Sequence, residues 1–168
     1  MKLWMPLAAV LALVVAAGAD DIGKKVTDPV SKKQITVAKD QPYVYVFLDK
    51  VYFTDAKNRD TFLKAPETYN PKASCPVKGS PVSANKTNRL LVNDHILYFC
   101  CGDCPNEFRK HPGDFLAMVT DPVSGKDFSE SADSPKSETG NVIYFFETAE
   151  NKAAFDKEPA KYAKVKLP

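Results

Sequence analysis

The sequence predicts an α+β protein of three tandem small units, each a β-hairpin followed by a short helix. Two recurrences carry that prediction. The first is a Pro-Val core in "DPVSKK", "CPVKGS" and "DPVSGK", with prolines at Pro29, Pro76 and Pro122, 47 and 46 residues apart. The second is a downstream block: "VYFTDAKNRDTFLKAPETY" (51–69), "LYFCCGDCPNEFRKHPGDF" (97–115) and "IYFFETAENKAAFDKEPAKY" (143–162). The first two blocks align without a gap, and the third takes one inserted residue before Asn151. Each reads Tyr-Phe, then Phe, then Pro four residues on, then Tyr or Phe three after that. So many matches in one order read as a triplication.

Each element has a local reason. The β-rich runs at 43–53, 89–99 and 141–146 read as strands. Asn93-Asp94, between two apolar runs, is the expected hairpin turn. The following short helices are anchored inward by Phe62, Phe108 and Phe155. The proline four residues on ends the helix or starts a second short turn, because it lacks the amide donor and suits a first helical turn. Tyr52, Phe53, Tyr98, Phe99, Tyr144 and Phe145 recur at strand spacing and are expected in the core. A unit of about 45 residues buries little apolar surface alone, so the three are expected to pack together. The polar run "DFSESADSPKSETG" (127–140) reads as a flexible loop, and "KYAKVKLP" as a solvated tail.

The first residues, "MKLWMPLAAVLALVVAAGAD", have the layout of a secretory signal peptide. Lys2 gives a positive start, 7–15 an apolar stretch, and Ala17-Gly18-Ala19 a small-x-small cleavage site. The apolar stretch is short for a bilayer span. The expected organisation is therefore a signal peptide at 1–19 and units at 20–72, 73–118 and 119–168, in a periplasmic or secreted protein with no membrane association after cleavage. No cysteine follows the cleavage site, which argues against a lipoprotein. Removing 1–19 takes away one lysine and leaves 22 basic against 21 acidic residues, a balance that gives no reason to expect nucleic acid.

The cysteines fall only in the middle unit. Four residues before the anchoring Phe stand Asn58, Cys104 and Asn151. Asparagine there reads as a helix N-cap, with Cys104 replacing it and Pro105 as the first helical residue. A sulfur at that place faces the positive end of the helix dipole, which favours thiolate. Cys100 takes the place of Thr54 and Phe146, and Cys75 that of Asp28 and Asp121. A strand end and a helix start face each other across a short turn, and a third sulfur from the Pro-Val turn completes a soft pocket. Such a pocket suits copper(I), zinc or a heavier thiophilic ion. His95 and His111 are candidate fourth ligands; otherwise His95, after a turn, reads as solvated, and His111 matches Ala65 and Glu158, so the frame does not require it. Cys101, one past the strand end, is expected to point to the other face.

"CPVKG", a hairpin and "YFCCGDCPNEFRKHPGDF" together resemble the YHS/TRASH heavy-metal-binding domain. That resemblance implies a treble-clef-like metal site with Cys75, Cys100 and Cys104 as ligands and Cys101 as an additional neighbour. It covers 75–115; the flanking segments 28–69 and 121–162 keep the family's frame without its cysteines. The function it implies is capture of a thiophilic metal ion (copper, zinc or a heavier one) for sensing, delivery or sequestration, with a protein partner in metal handling; the asparagines at the other two positions point to one such site per chain. Two alternatives stand beside it. Four cysteines in an exported chain allow three full disulfide pairings, giving a stabilised scaffold that binds a protein partner. Cys101-Gly102-Asp103-Cys104 is also a Cys-x-x-Cys, the pattern of a thiol–disulfide oxidoreductase, but the chain lacks the βαβ pattern of that fold. No paired carboxylates, Ser-His-Asp set or phosphate loop is present, so an enzyme is not expected.

Overall fold

The computed structural model describes residues 21–163 and Val165. The expected signal peptide lies outside them. The architecture is mixed α+β, with small hairpin sheets and short helices arranged around one larger sheet.

Along the chain run β1 (Lys25–Thr27), β2 (Gln34–Thr36), β3 (Tyr43–Val46), β4 (Asp49–Tyr52), α1 (Ala56–Lys64) and α2 (Pro66–Tyr69). They are followed by β5 (Lys72–Ser74), β6 (Pro81–Ser83), β7 (Arg89–Val92), β8 (His95–Tyr98) and α3 (Cys104–Lys110). The last third holds β9 (Val119–Thr120), β10 (Asp127–Phe128), β11 (Lys136–Thr139), β12 (Val142–Phe145), α4 (Ala149–Lys157) and α5 (Pro159–Tyr162).

Three antiparallel hairpins, β3–β4, β7–β8 and β11–β12, make one six-stranded sheet in the order β11-β12-β7-β8-β3-β4. They join through parallel pairs, β3 with β8 and β7 with β12. The β7–β8 hairpin therefore has a neighbour on each side, and every residue of its two strands is buried. This is why 89–99 reads as a nearly continuous apolar run rather than an alternating one.

The hairpin turns carry Phe47, Asn93 and Gly140 at φ 55°, 50° and 59°. Asn93 bears out the expected turn. Its side chain donates to Thr120 O and Phe145 O and accepts from Phe145 N–H, all at 2.9 Å, which ties the turn to β12. Phe47 is a bulky residue in a region that L side chains avoid. It is held there from β8: its N–H donates to Ile96 O, and its carbonyl accepts from His95 Nδ1 at 2.7 Å.

Behind each hairpin one aromatic of the strand end meets one of the helix. Ring centroids are 5.1 Å apart for Phe53–Phe62, 6.0 Å for Phe99–Phe108 and 5.1 Å for Phe146–Phe155. The prolines start the second short turns, at Pro66, Pro112 and Pro159. The third contact corrects the sequence alignment. Phe146, not Phe145, matches Phe53 and Phe99, and its N–H donates to Pro135 O as theirs do to Pro42 O and Asn88 O. The third block needs no inserted residue before Asn151 relative to the first, and Glu147 rather than Phe146 stands where Thr54 and Cys100 stand.

Two other expectations are overturned. Segment 127–140 is not a flexible loop: it supplies β10 and β11 and buries Glu130 to 3 % exposure. Polar residues suit β11 because it is an edge strand with exposed positions. The C-terminal run is not wholly solvated either, since Val165 is buried and its carbonyl accepts from Tyr144 Oη at 2.9 Å. The six strand aromatics expected in the core are all buried.

Candidate metal centre

Cys75 opens the turn between β5 and β6. Its N–H donates to Ser80 O at 2.9 Å and its carbonyl accepts from Gly79 N–H at 2.8 Å. Gly79 closes the turn at φ 64°, where glycine avoids a Cβ clash. The turn aims the backbone N–H groups of Val77 and Lys78 at the Cys75 sulfur, and Cys100 N–H reaches it from the end of β8. Cys104 is the first residue of α3.

This brings Cys75, Cys100 and Cys104 together, with their sulfurs all within 4.8 Å of one another. Cys75 and Cys104 are buried and Cys100 is exposed, so the cluster is closed behind and open in front. The Cys100 and Cys104 sulfurs are 3.7 Å apart. Two thiolates on a tetrahedral zinc, each about 2.3 Å from the ion, stand roughly 3.8 Å from each other. The donor set thus fits a thiophilic ion with little movement. In front, a cleft of ≈ 440 Å³ lined by Asn88, Arg89, Cys100, Cys101, Asn106 and Arg109 leads to solvent.

The four cysteines are free thiols with unlike acidities. Burial pushes the Cys75 thiol up, but the N–H donors of Cys100, Lys78 and Val77 outweigh it, leaving the pKa below the ordinary thiol value. Burial and the three surrounding cysteines hold Cys104 well above that value. Cys101 is lowered to about 7, chiefly by a hydrogen bond from the Cys104 thiol, helped by the N–H groups of Cys104 and Asp103 and by Lys78. An ion entering the cluster must therefore displace the Cys104 proton.

The structure corrects several site expectations. Cys101 does not point away: its sulfur is 3.0 Å from that of Cys104, although it lies outside the mutually close trio. The chain bends through 101–103, so no strand pleat continues there to set its direction. Asn58 and Asn151 do not cap their helices, nor does Cys104 stand at a cap. Asp55 caps α1 by accepting from Asn58 N–H, Thr148 caps α4 by accepting from Asn151 N–H, and Asp103 precedes α3 without a side-chain cap bond. Pro105 consequently follows the first helical residue rather than being it. His95 is not solvated: it is buried, stacked on Tyr45 with centroids 4.2 Å apart, and outside the cysteine group. His111 is exposed and also outside that group.

Freed from capping, the asparagine side chains do something else. Asn58 Nδ2 donates to Asp28 Oδ2 at 2.8 Å, and Asn151 Nδ2 to Asp121 Oδ2 at 2.9 Å. Asp28 Oδ1 accepts from Val30 and Ser31 N–H, and its Oδ2 from Thr54 N–H and Oγ1. Asp121 accepts from Val123, Ser124 and Glu147 N–H in the same way. Each carboxylate takes the place of the Cys75 sulfur on the same backbone donors, and each amide takes the place of Cys104.

The pairing of Asp28 with Asn58 is not legible in the sequence, where an asparagine at a helix start reads as a cap. The role of Lys78 is not legible there either. Its ammonium helps to lower the Cys101 thiol pKa where serine stands at 31 and 124, a difference visible in "CPVKG". Comparison with protein-family models, curated proteins and solved structures gives no match.

Proposed function

We propose that this chain is an exported metal-binding protein of three YHS/TRASH-like units, in which the middle unit holds one thiophilic ion through Cys75, Cys100 and Cys104. The observation that carries the reading is the approach of three cysteine sulfurs to within 4.8 Å, two of them buried. Three soft donors select copper(I) or zinc over hard cations. Burial behind and the open cleft in front suit an ion that is captured and passed on, for delivery, sensing or sequestration, with a protein partner meeting the exposed Cys100. The flanking segments act as metal-independent supports, because at both places a carboxylate–amide pair fills the space the ion would take. Binding, not catalysis, is the role.

Copper(I) or zinc, titrated into reduced protein and read by metal analysis, is expected to saturate at one ion per chain. Stripping the ion is expected to loosen amide protection over 75–115 and to leave 28–69 and 121–162 nearly unchanged. Three ions per chain, or equal loosening everywhere, would overturn the reading. Intact mass of exported protein beginning at Asp20 tests the signal peptide.

A further inference from the structure

We infer that Cys101 and Cys104 are a modification site: a small-molecule disulfide oxidises them to an intramolecular disulfide, which withdraws Cys104 from the ligand set and expels the ion. The release step rests on the metal reading above; the disulfide step does not.

Geometry singles out this pair. The Cys101 and Cys104 sulfurs are 3.0 Å apart, closer than Cys100 and Cys104 at 3.7 Å. A disulfide bond of about 2.05 Å needs roughly 1 Å of closure from there. Accessibility orders the events. Cys101 is half-buried and borders the open cleft, whereas Cys104 is 1 % exposed. An oxidant in the cleft reaches both the exposed Cys100 and Cys101; of the two, Cys101 is the nearer to Cys104, which lies behind it as the resolving thiol. Cys75 is fully buried, with its sulfur held by the donors of its own turn and of Cys100.

The exchange balances without any further reactant. The Cys101 thiolate attacks one sulfur of R–S–S–R, breaking that bond, expelling RS⁻ and forming a mixed disulfide. The Cys104 thiolate then attacks the Cys101 sulfur and expels the second RS⁻. Two electrons pass from the cysteine pair to the oxidant, and the two cysteine protons end on two molecules of RSH. Cys75 and Cys100 remain as the only thiolates of the trio, too few for a closed tetrahedral site. Conversely, a bound ion occupies Cys104 and slows the second attack. The positions matching Cys104 are Asn58 and Asn151, so this chemistry belongs to the middle segment alone.

Full-length reduced protein, zinc-loaded and zinc-free, would be treated with oxidised glutathione, mapped by peptide mass and followed with a chromogenic zinc chelator. The expected result is a Cys101–Cys104 link, faster in the zinc-free sample, with zinc released in step and recaptured after dithiothreitol. Cys101→Ser should keep its zinc under the same treatment. A predominant link through Cys75 or Cys100, glutathione left on Cys101 without an internal bond, or equal zinc loss from Cys101→Ser would overturn the inference. The link appearing in a protein that never binds zinc would sink the metal reading and leave the disulfide standing. Zinc binding with the link elsewhere would do the reverse.

Discussion

The turn at Cys75 and the turn at Asp28 make the same backbone hydrogen bonds around different tenants. At 28 the tenant is a carboxylate with five hydrogen bonds, two from its own turn, two from Thr54 and one from Asn58. At 75 it is a sulfur with the same kind of backbone donors, but the partner across the gap is another sulfur. Asp28 and Asn58 complete each other, a charged acceptor meeting an amide donor. Cys75 and Cys104 do not, since a buried thiol is a weak donor and two thiolates repel. Turns with the same backbone bonds can thus be closed by hydrogen bonds or, in the proposed reading, by a cation, and two or three side chains decide which.

The sharpest way to break the comparison is to remove a ligand. Cys75→Ser, Cys100→Ser and Cys104→Ser are each expected to lower zinc or copper(I) affinity by more than about 100-fold, beyond the usual effect of losing an outer-sphere group. Cys101→Ser should stay within roughly tenfold of the parent, the low end of that range. Competition titration of the four variants checks this, and equal losses in all four would mean that Cys101 belongs to the set.

Next comes the converse exchange. Asp28→Cys combined with Thr54→Cys and Asn58→Cys is expected to raise the metal stoichiometry from one ion to two, because the backbone donors for the first sulfur are already in place. Metal analysis reads it directly. A stoichiometry still at one, in a variant that remains folded, would show that the frame differs in more than its side chains.

Breaking the polar pair instead costs stability. Asp28→Ala leaves buried donors without an acceptor and is expected to destabilise by on the order of 3 kcal/mol, with Asn58→Ala nearer ~1 kcal/mol, by denaturant titration. The pH dependence has a definite sign. Hydrogen bonds outweigh burial and depress Asp28 and Asp121 below the ordinary carboxylate value. Their stabilisation is therefore present above about pH 4 and is lost as pH falls through their folded values. In the proposed metal reading the middle segment behaves otherwise, its metal affinity falling as pH falls because protons compete for the cysteine sulfurs. Zinc release well above the pH of acid unfolding is the expected outcome, and coincident midpoints would contradict it.

The smallest effect lies outside the comparison. Burial raises Glu130 to about 7, and neither carboxyl oxygen has a hydrogen-bond partner among the described residues. The folded state holds that proton more tightly than the unfolded state does. Stability from this group is full below about pH 4 and declines as pH rises through 7. Glu130→Gln is expected to raise Tm at pH 8 relative to the parent by more than it does at pH 5.

The sequence by itself determined the α+β class, the β7–β8 hairpin, the strand runs at 43–53 and 141–146 and the anchoring aromatics, because strand propensity, a turn asparagine and Phe-x3-Pro spacing are local signals. It also brought out Cys75, Cys100 and Cys104, since sulfur stands at three places where other residues stand elsewhere in the chain. What it could not hold is anything set by distant chain. The ribbons β1–β2, β5–β6 and β9–β10 are too short to show a period, and β11 is polar because only its position at a sheet edge makes it a strand. Whether Asn58 caps a helix or reaches Asp28, thirty residues away, depends on where the turn is brought in space. Only the tertiary structure turned Cys101 toward Cys104, because the direction of a side chain in a bend is fixed by the packing around it and not by the pleat of the strand before it.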